Sequence, residues 1–212
     1  MLGGSWGSTL ALAYAESHPA SVSGLVLFGV TTGRRSEVDW LFRGGLATAF
    51  PLQWQRLLDG LPAGERDGDI VAAYYRHLNH TDPAVRATAA TAWCLWESAT
   101  PNWPPSNTLA SRFRDPAYAM AFACIVTHYM HHNLWLEDGV LLRNAALLAD
   151  IPGALINGRQ DIQAPLSNAE ALKAVWPRVD LIVVEDAGHS AANPGMELAL
   201  VAATDRLAGL RP

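Results

Sequence analysis

The chain has 212 residues, of which 50% are hydrophobic, and it carries a formal net charge of −5 at pH 7. This length and apolar content suffice for one sizeable core with a small additional layer. The sequence has no clustered basic run that would bind nucleic acid and no apolar run long enough to span a membrane. We therefore expect a soluble protein, and we place it in the cytoplasm because no secretory signal precedes the first elements.

The cysteines and histidines give little support for a disulfide or a metal site. Cys94 and Cys124 lie in apolar, helix-like surroundings, and we expect two buried free thiols. His128 and His132 are one helical turn apart and His131 is adjacent, but no further ligand has zinc-site spacing. We expect neither a metal ion nor a cofactor.

The first predicted element is a sharp turn around a serine. The chain opens with Gly3-Gly4-Ser5-Trp6-Gly7, which has the Gly-x-Ser-x-Gly pattern of a nucleophile elbow between a strand and a helix. We expect glycines two positions before and after Ser5 because side chains there would collide in the strained turn. Residues 8–15 are small and favour the helix, whereas the preceding strand is either Met1-Leu2 alone or lies upstream of this sequence.

A strand and then a long helical region follow. The apolar, β-branched run at 22–30 predicts a buried parallel strand. Between about residues 32 and 144 no run of strands is evident. Asp82-Pro83 and Asp115-Pro116 each predict a helix start, with an aspartate cap followed by proline at the first helical position. We interpret 32–144 as a mostly α-helical cap.

Strands return in the last third of the chain. Residues 154–158 and 180–185 are short apolar runs, and each is followed by a helix-like segment, at 165–176 and 194–207. Strands alternating with helices over short links predict a parallel sheet layered with helices. The predicted core is therefore formed by residues 1–31 and 145–212.

Two residues that could activate Ser5 follow these late strands. Asp161 comes after the strand at 154–158 and His189 after the strand at 180–185, where α/β folds place their chemistry. The order Ser, Asp, His is that of an α/β-hydrolase, in which histidine is the base and aspartate orients it. The sequence thus predicts an α/β-hydrolase fold with a helical cap insert, and it lacks the first strands of that core.

Further site residues can be assigned from the same chemistry. The backbone N–H of Trp6, next to the nucleophile, is the expected oxyanion donor, and the second donor of the fold is not in this sequence. Glu97 ends a helix-like segment, 88–97, beside Trp93 and Trp96. A carboxylate among aromatic rings suits a substrate cation, although residue chemistry alone favours an ordinary solvated glutamate at a helix end.

Several stretches of the chain together resemble one family, the proline iminopeptidases (prolyl aminopeptidases), which are serine peptidases of the α/β-hydrolase fold. The matching stretches are residues 3–15 with His18-Pro19, Trp96-Glu97, His128-Tyr129, residues 141–144, residues 158–161, residues 187–190 and residues 203–206. The resemblance runs from Leu2 to about Leu207. It implies a small peptide substrate, a cap that recognises a free amino terminus, and a pocket for an N-terminal proline.

Some substrate positions depart from the family pattern. Phe28 stands where the family has an arginine, Thr31 where an aromatic ring lines the proline pocket, and Val126 where a second glutamate is expected. Of the two amine-binding carboxylates that the resemblance implies, only Glu97 remains. The family's first strands and its oxyanion loop also lie upstream of the elbow.

Three hypotheses about function remain open at this point. The first is a serine hydrolase that releases an N-terminal proline from peptides by an acyl-enzyme mechanism. The second is a related hydrolase for another small ester or amide, favoured by the more apolar residues at the substrate positions. The third is an inactive fragment or interaction module.

Overall fold

The computed structural model describes residues 1–209. These form two compact units, one of Met1–Glu37 with residues 137–209 and one of Val38–Leu136. The sequence predicted a core of residues 1–31 and 145–212 and a cap of residues 32–144. This assignment of a core and a cap stays a prediction. None of the helices within 1–209 is both long and apolar enough to cross a lipid bilayer.

The first unit is built on a four-stranded parallel sheet. Its strands are β1 (Leu2–Gly4), β2 (Leu25–Phe28), β3 (Gly153–Gly158) and β4 (Val179–Val184), in the order β1-β2-β3-β4. The strand before the elbow is therefore present and longer than Met1-Leu2, whereas β2 covers only the centre of the predicted run at 22–30. Because all strands are parallel, their carboxyl ends share one edge of the sheet.

Helices pack on the sheet and also form much of the chain between β2 and β3. In chain order they are α1 (Trp6–Ser17), α2 (Arg35–Phe42), α3 (Pro51–Asp59), α4 (Ile70–Leu78), α5 (Pro83–Ala99), α6 (Pro116–His131), α7 (Val140–Asn144), α8 (Leu166–Val175) and α9 (Met196–Ala208). α1 packs on β1 and β2, α8 on β3 and β4, and α9 on β2, β3 and β4. This layering of helices on a parallel sheet confirms the predicted α/β architecture.

The sheet is held by apolar side chains on its strands and on α9. One cluster of buried residues consists of Val26, Ala154, Ile156, Ala187, Met196 and Ala203. β3 is buried along its whole length, as expected for a strand covered on both faces. The strand ends that carry the candidate site are therefore held in place by an apolar core.

The second unit confirms the two predicted helix caps. The Asp82 carboxylate accepts a hydrogen bond from Ala84 N at 2.8 Å, and Asp115 accepts one from Ala117 N at 2.9 Å. Each aspartate satisfies a backbone N–H that has no partner inside its own helix. The helix predicted at 88–97 is in fact longer, since α5 runs from Pro83 to Ala99, so Glu97 lies inside the helix.

Aromatic side chains fill the interior of this second unit. Trp93 stacks on Phe42 with ring centroids 4.7 Å apart and meets Tyr74 edge-on at 5.2 Å. The Tyr74 hydroxyl donates to the Leu57 carbonyl oxygen, so its polar end is satisfied within the core. Cys94 is a buried free thiol as expected, whereas Cys124 is free but only half-buried.

Candidate active site

Ser5 occupies a strained turn between β1 and α1. Its backbone angles are φ 52° and ψ −122°, a conformation that costs a non-glycine residue about 1–3 kcal/mol. Ser5 N donates to the Phe28 carbonyl oxygen at 3.0 Å, which ties the turn to the end of β2. The serine is half-buried, at the sheet edge where parallel α/β folds place their ligands.

The glycines around Ser5 have different steric roles. A Cβ atom built on Gly3 would lie 2.3 Å from the Gly7 carbonyl oxygen, so no side chain fits at Gly3. A Cβ on Gly7 would meet nothing within 4 Å beyond its own helix backbone and chain neighbours. The expectation of a collision at both glycines is therefore wrong for Gly7, because a Cβ there would point into open space.

Three hydroxyl side chains hold the elbow in place. The Ser5 carbonyl oxygen accepts hydrogen bonds from Ser8 N at 2.8 Å, Ser8 Oγ at 2.6 Å and Thr31 Oγ1 at 2.9 Å. Thr31 is bound in turn, since Thr9 Oγ1 lies 2.8 Å from Thr31 Oγ1 and donates to the Thr31 carbonyl oxygen at 3.0 Å. We call Ser8, Thr9 and Thr31 the hydroxyl clamp. The hydroxyl of Thr31 therefore faces the elbow. The resemblance to the family, in which an aromatic ring lines the pocket at this position, did not indicate that contact.

Asp161 and His189 are brought together from the loops after β3 and β4. His189 Nδ1 lies 2.8 Å from Asp161 Oδ2. The Asp161 side chain is fully buried, whereas that of His189 is 12% exposed. Ala164 N donates to the other carboxylate oxygen, Asp161 Oδ1, at 2.8 Å. Both oxygens of the aspartate are thus engaged, and the imidazole keeps its Nε2 edge for another partner.

The end of β2 connects this pair with the elbow. Gly29 follows Phe28 directly and has φ 51°. A Cβ on Gly29 would lie 2.8 Å from His189 Cε1 and 2.9 Å from His189 Nδ1, so the imidazole packs on the bare backbone there. Because the Phe28 carbonyl oxygen accepts the hydrogen bond from Ser5 N, Ser5 and the imidazole of His189 flank the same strand end.

The remaining residues predicted for the site lie in two places. Trp6 is the first residue of α1, at the positive end of the helix dipole, and the Phe28 ring lies against Gly4. Glu97 and Val126 lie in the second unit, on α5 and α6, and both are half-buried. Burial and then the Glu97 charge raise the pKa of the Cys94 thiol, three residues earlier on α5, to about 12.

His128 and His131 at the end of α6, and His132 directly after it, take part in an aromatic cluster. His131 stacks on Tyr75 with centroids 4.4 Å apart, and His132 stacks on Trp135 at 5.0 Å. Partial burial, then the neighbouring His128 and His131, lower the pKa of His132. Within 1–209, no three His, Cys, Asp or Glu side chains converge in an arrangement that could hold a metal ion.

Comparison with known proteins identifies the class. The family model described as the alpha/beta hydrolase fold matches residues 1–192. An esterase from Rhodococcus sp. superposes with a TM-score of 0.53 at 16% identity, covering 99% of this chain and 65% of its own. An alpha/beta fold family hydrolase from Bacillus anthracis gives 0.55 at 14% identity, covering 96% of this chain and 65% of its own. The chain belongs to the α/β-hydrolase family.

Within that family the chain is similar to proline iminopeptidases, which confirms the resemblance seen in its motifs. It is 47% identical over 210 residues to a probable proline iminopeptidase of Streptomyces coelicolor and 43% identical over 207 residues to one of Leptolyngbya boryana. It is 39% identical over 211 residues to a proline iminopeptidase of Arabidopsis thaliana. These matches cover 97–99% of this chain and 56–64% of the relatives, so the chain spans less than two thirds of their length.

Proposed function

We propose that this protein is a serine peptidase that releases an N-terminal proline from peptides. The observation that carries the proposal is the contact of 2.8 Å between His189 Nδ1 and the buried Asp161 carboxylate, beside the strand end that holds Ser5. The names of the relatives supply the substrate class. A serine, a histidine and an aspartate at the ends of adjacent parallel strands suit acyl transfer.

The proposed mechanism follows from these positions. Ser5 Oγ attacks the carbonyl carbon of the N-terminal residue while His189 Nε2 takes the hydroxyl proton. Asp161 holds the imidazole through Nδ1 and stabilises the positive charge that forms. His189 then gives the proton to the leaving amine, and water hydrolyses the acyl-enzyme with His189 again acting as the base.

The oxyanion of the tetrahedral intermediate needs a donor close to the nucleophile. We assign the backbone N–H of Trp6, because this residue directly follows Ser5 and begins α1. Loss of one such donor typically lowers kcat by about 100- to 1000-fold. The elbow strain and the hydroxyl clamp support this assignment, since they fix the peptide unit between Ser5 and Trp6.

Glu97 is the proposed partner of the substrate ammonium group. It follows Trp96, whose ring packs edge-on against Trp54 with centroids 5.4 Å apart, so its surroundings are partly apolar. A carboxylate binds an ammonium ion more strongly where water is excluded.

We also infer a cytoplasmic location from the two free cysteines, since cytosolic thiols stay reduced.

Hydrolysis of a proline arylamide tests the proposal, with Ser5→Ala and His189→Ala as controls. We expect turnover by the unmodified protein, and labelling of Ser5 by a fluorophosphonate that is lost in both variants. Turnover of simple esters without any turnover of proline arylamide would reject the peptidase assignment. Absence of both turnover and labelling in a folded sample would reject hydrolysis by this chain altogether.

A second comparison tests the amine site. Glu97→Gln should lower kcat/KM for the positively charged proline arylamide by about 10- to 100-fold, as expected for the loss of a partly desolvated charge pair. The rate with a neutral ester of similar size should change less than threefold. Equal losses on both substrates would mean that Glu97 does not bind the amine, and the site would then suit a neutral ester or amide.

A further inference from the structure

Asn157 is a buried polar residue of β3 that the mechanism above does not use. It is the residue before the last of the strand and is completely inaccessible to solvent. Its Oδ1 accepts a hydrogen bond from Val30 N at 3.0 Å, and its Nδ2 donates to the Ala164 carbonyl oxygen at 3.0 Å. One side-chain amide therefore joins the loop after β2 to the loop after β3.

The Ala164 side of this bridge leads directly to the catalytic carboxylate. The amide plane of Asn157 fixes the Ala164 carbonyl, and Ala164 N donates to Asp161 Oδ1 at 2.8 Å. The other oxygen of Asp161 contacts His189 Nδ1. Movement of the loop at Ala164 would therefore rotate the Asp161 carboxylate and change the contact with the imidazole.

The Val30 side of the bridge leads to the backbone on which the imidazole packs. Val30 follows Gly29, whose backbone forms the surface on which the His189 ring packs. Asn157 thus holds the backbone at Val30, next to the Gly29 surface on which the ring packs, and the loop at Ala164, which binds the Asp161 carboxylate. Both partners are buried, so loss of the amide would leave a buried N–H and a buried carbonyl without this hydrogen bond, which costs free energy.

We propose that Asn157 is a positioning residue that sets the orientation of Asp161 and His189 for the reaction. The two loops present one donor, Val30 N–H, and one acceptor, the Ala164 carbonyl. Only a neutral side chain with both functions satisfies them from a single position. An aspartate at 157 would offer acceptors alone and would place a second negative charge near Asp161. The inference rests on the proposed function, in which this pair activates Ser5.

Asn168 provides a matched control for the loss of a buried amide. It is also buried, accepts from Arg34 Nη2 at 2.9 Å and donates to the Val30 carbonyl oxygen at 3.3 Å. It therefore shares the Val30 side with Asn157, but its side-chain hydrogen bonds go to Arg34 and Val30 rather than to the Ala164 carbonyl. A difference between Asn157→Ala and Asn168→Ala isolates the connection to Asp161.

The experiment measures the imidazole directly as well as the reaction. The protein and its Asn157→Ala, Asn157→Ser and Asn168→Ala variants are compared by the downfield proton resonance of His189 Nδ1–H, assigned by its loss in His189→Ala. The pH profile and rate of fluorophosphonate labelling at Ser5, and kcat and KM for proline arylamide, are measured on the same samples. Asn157→Ser is included because its hydroxyl can keep one of the two hydrogen bonds in a folded variant.

We expect Asn157→Ala to broaden or shift the His189 Nδ1–H resonance and to change the pH profile of Ser5 labelling. The same variant should lower kcat and the labelling rate by about 10- to 100-fold with little change in KM. Asn157→Ser should fall between it and the unmodified protein, and Asn168→Ala should keep the resonance and the pH profile. An unchanged resonance and profile in folded Asn157→Ala or Asn157→Ser would overturn the positioning role, as would equal effects in Asn168→Ala.

The readouts separate this inference from the proposed function. If no sample hydrolyses proline arylamide while the resonance and labelling respond as expected, the substrate assignment fails and the positioning role stands. If hydrolysis is present and Asn157→Ala loses no more rate than Asn168→Ala, the positioning role fails and the function stands.

Discussion

Replacement of Gly29 by alanine tests the packing of the His189 imidazole, the proposed base, on the end of β2. The new Cβ would lie 2.8 Å from His189 Cε1 and 2.9 Å from Nδ1, and 3.4 Å from Asp161 Oδ2. Carbon atoms in contact are about 3.5 Å apart or more, so the ring must move by roughly 0.7 Å. A shift of about 1 Å in a catalytic group can cost about 100-fold in rate.

We therefore expect Gly29→Ala to lower kcat/KM for proline arylamide by about 10- to 100-fold. The left-handed backbone at this position adds a loss of about 1–2 kcal/mol in the free energy of unfolding. Urea unfolding measures the second effect, and steady-state kinetics on the folded fraction measures the first.

Gly139→Ala is the matched control, because Gly139 has φ 69° and its nearest neighbour would be the flexible end of Arg143 at 3.3 Å. This variant should lose similar stability without losing activity. Full activity in folded Gly29→Ala, or an equal loss of activity in Gly139→Ala, would refute the packing argument.

Three further substitutions test other features. Burial raises the pKa of Glu16 to about 8, and one of its carboxylate oxygens has no hydrogen-bond partner among residues 1–209. The folded state thus holds the proton more tightly than the unfolded state, and stability falls as the pH rises from 4.5 to about 8. Glu16→Gln should raise the free energy of unfolding by about 1–3 kcal/mol near pH 9 and change it little below about pH 4.5, by urea unfolding. Thr31→Val removes a donor to the Ser5 carbonyl and should cost about 1 kcal/mol, with a fall of about fivefold in Ser5 labelling rate. Asp82→Ala removes the cap on Ala84 N and should cost about 1 kcal/mol in urea unfolding without affecting labelling.

Each of these has a control in the same chain. Glu197 is exposed, and Glu197→Gln should change the free energy of unfolding near pH 9 by less than about 0.5 kcal/mol, as is usual for a surface exchange. An unaltered pH dependence of stability in Glu16→Gln would contradict the role of Glu16. Thr88 is exposed, and its hydroxyl donates to a carbonyl of its own helix, so Thr88→Val should keep the labelling rate of Ser5. If Thr31→Val labels as fast as the unmodified protein, the hydroxyl clamp does not position Ser5. Asp115→Ala should match Asp82→Ala, and no loss of stability in either would refute the capping argument.

Much of the architecture followed from local sequence patterns. Apolar runs between glycines and prolines predicted β3 and β4, and the Asp-Pro pairs predicted the starts of α5 and α6, because a cap and a fixed proline φ act within one turn. The α/β-hydrolase fold and the resemblance to proline iminopeptidases were also evident from motifs. The bounds were less accurate, since β2 is shorter and α5 longer than expected, as element ends depend on packing that no local pattern records.

The candidate site divides in the same way. The sequence by itself determined that Asp161 and His189 follow strands and that Ser5 lies on a glycine-flanked turn. Only the tertiary structure decided that Thr31 holds the elbow, that Gly7 has open space, and that Asn157 joins two loops through a bond to a residue 127 positions away. The physical reason is that such hydrogen bonds and close contacts form where parallel strands bring distant loops to one edge, and this proximity leaves no periodicity or spacing in the sequence.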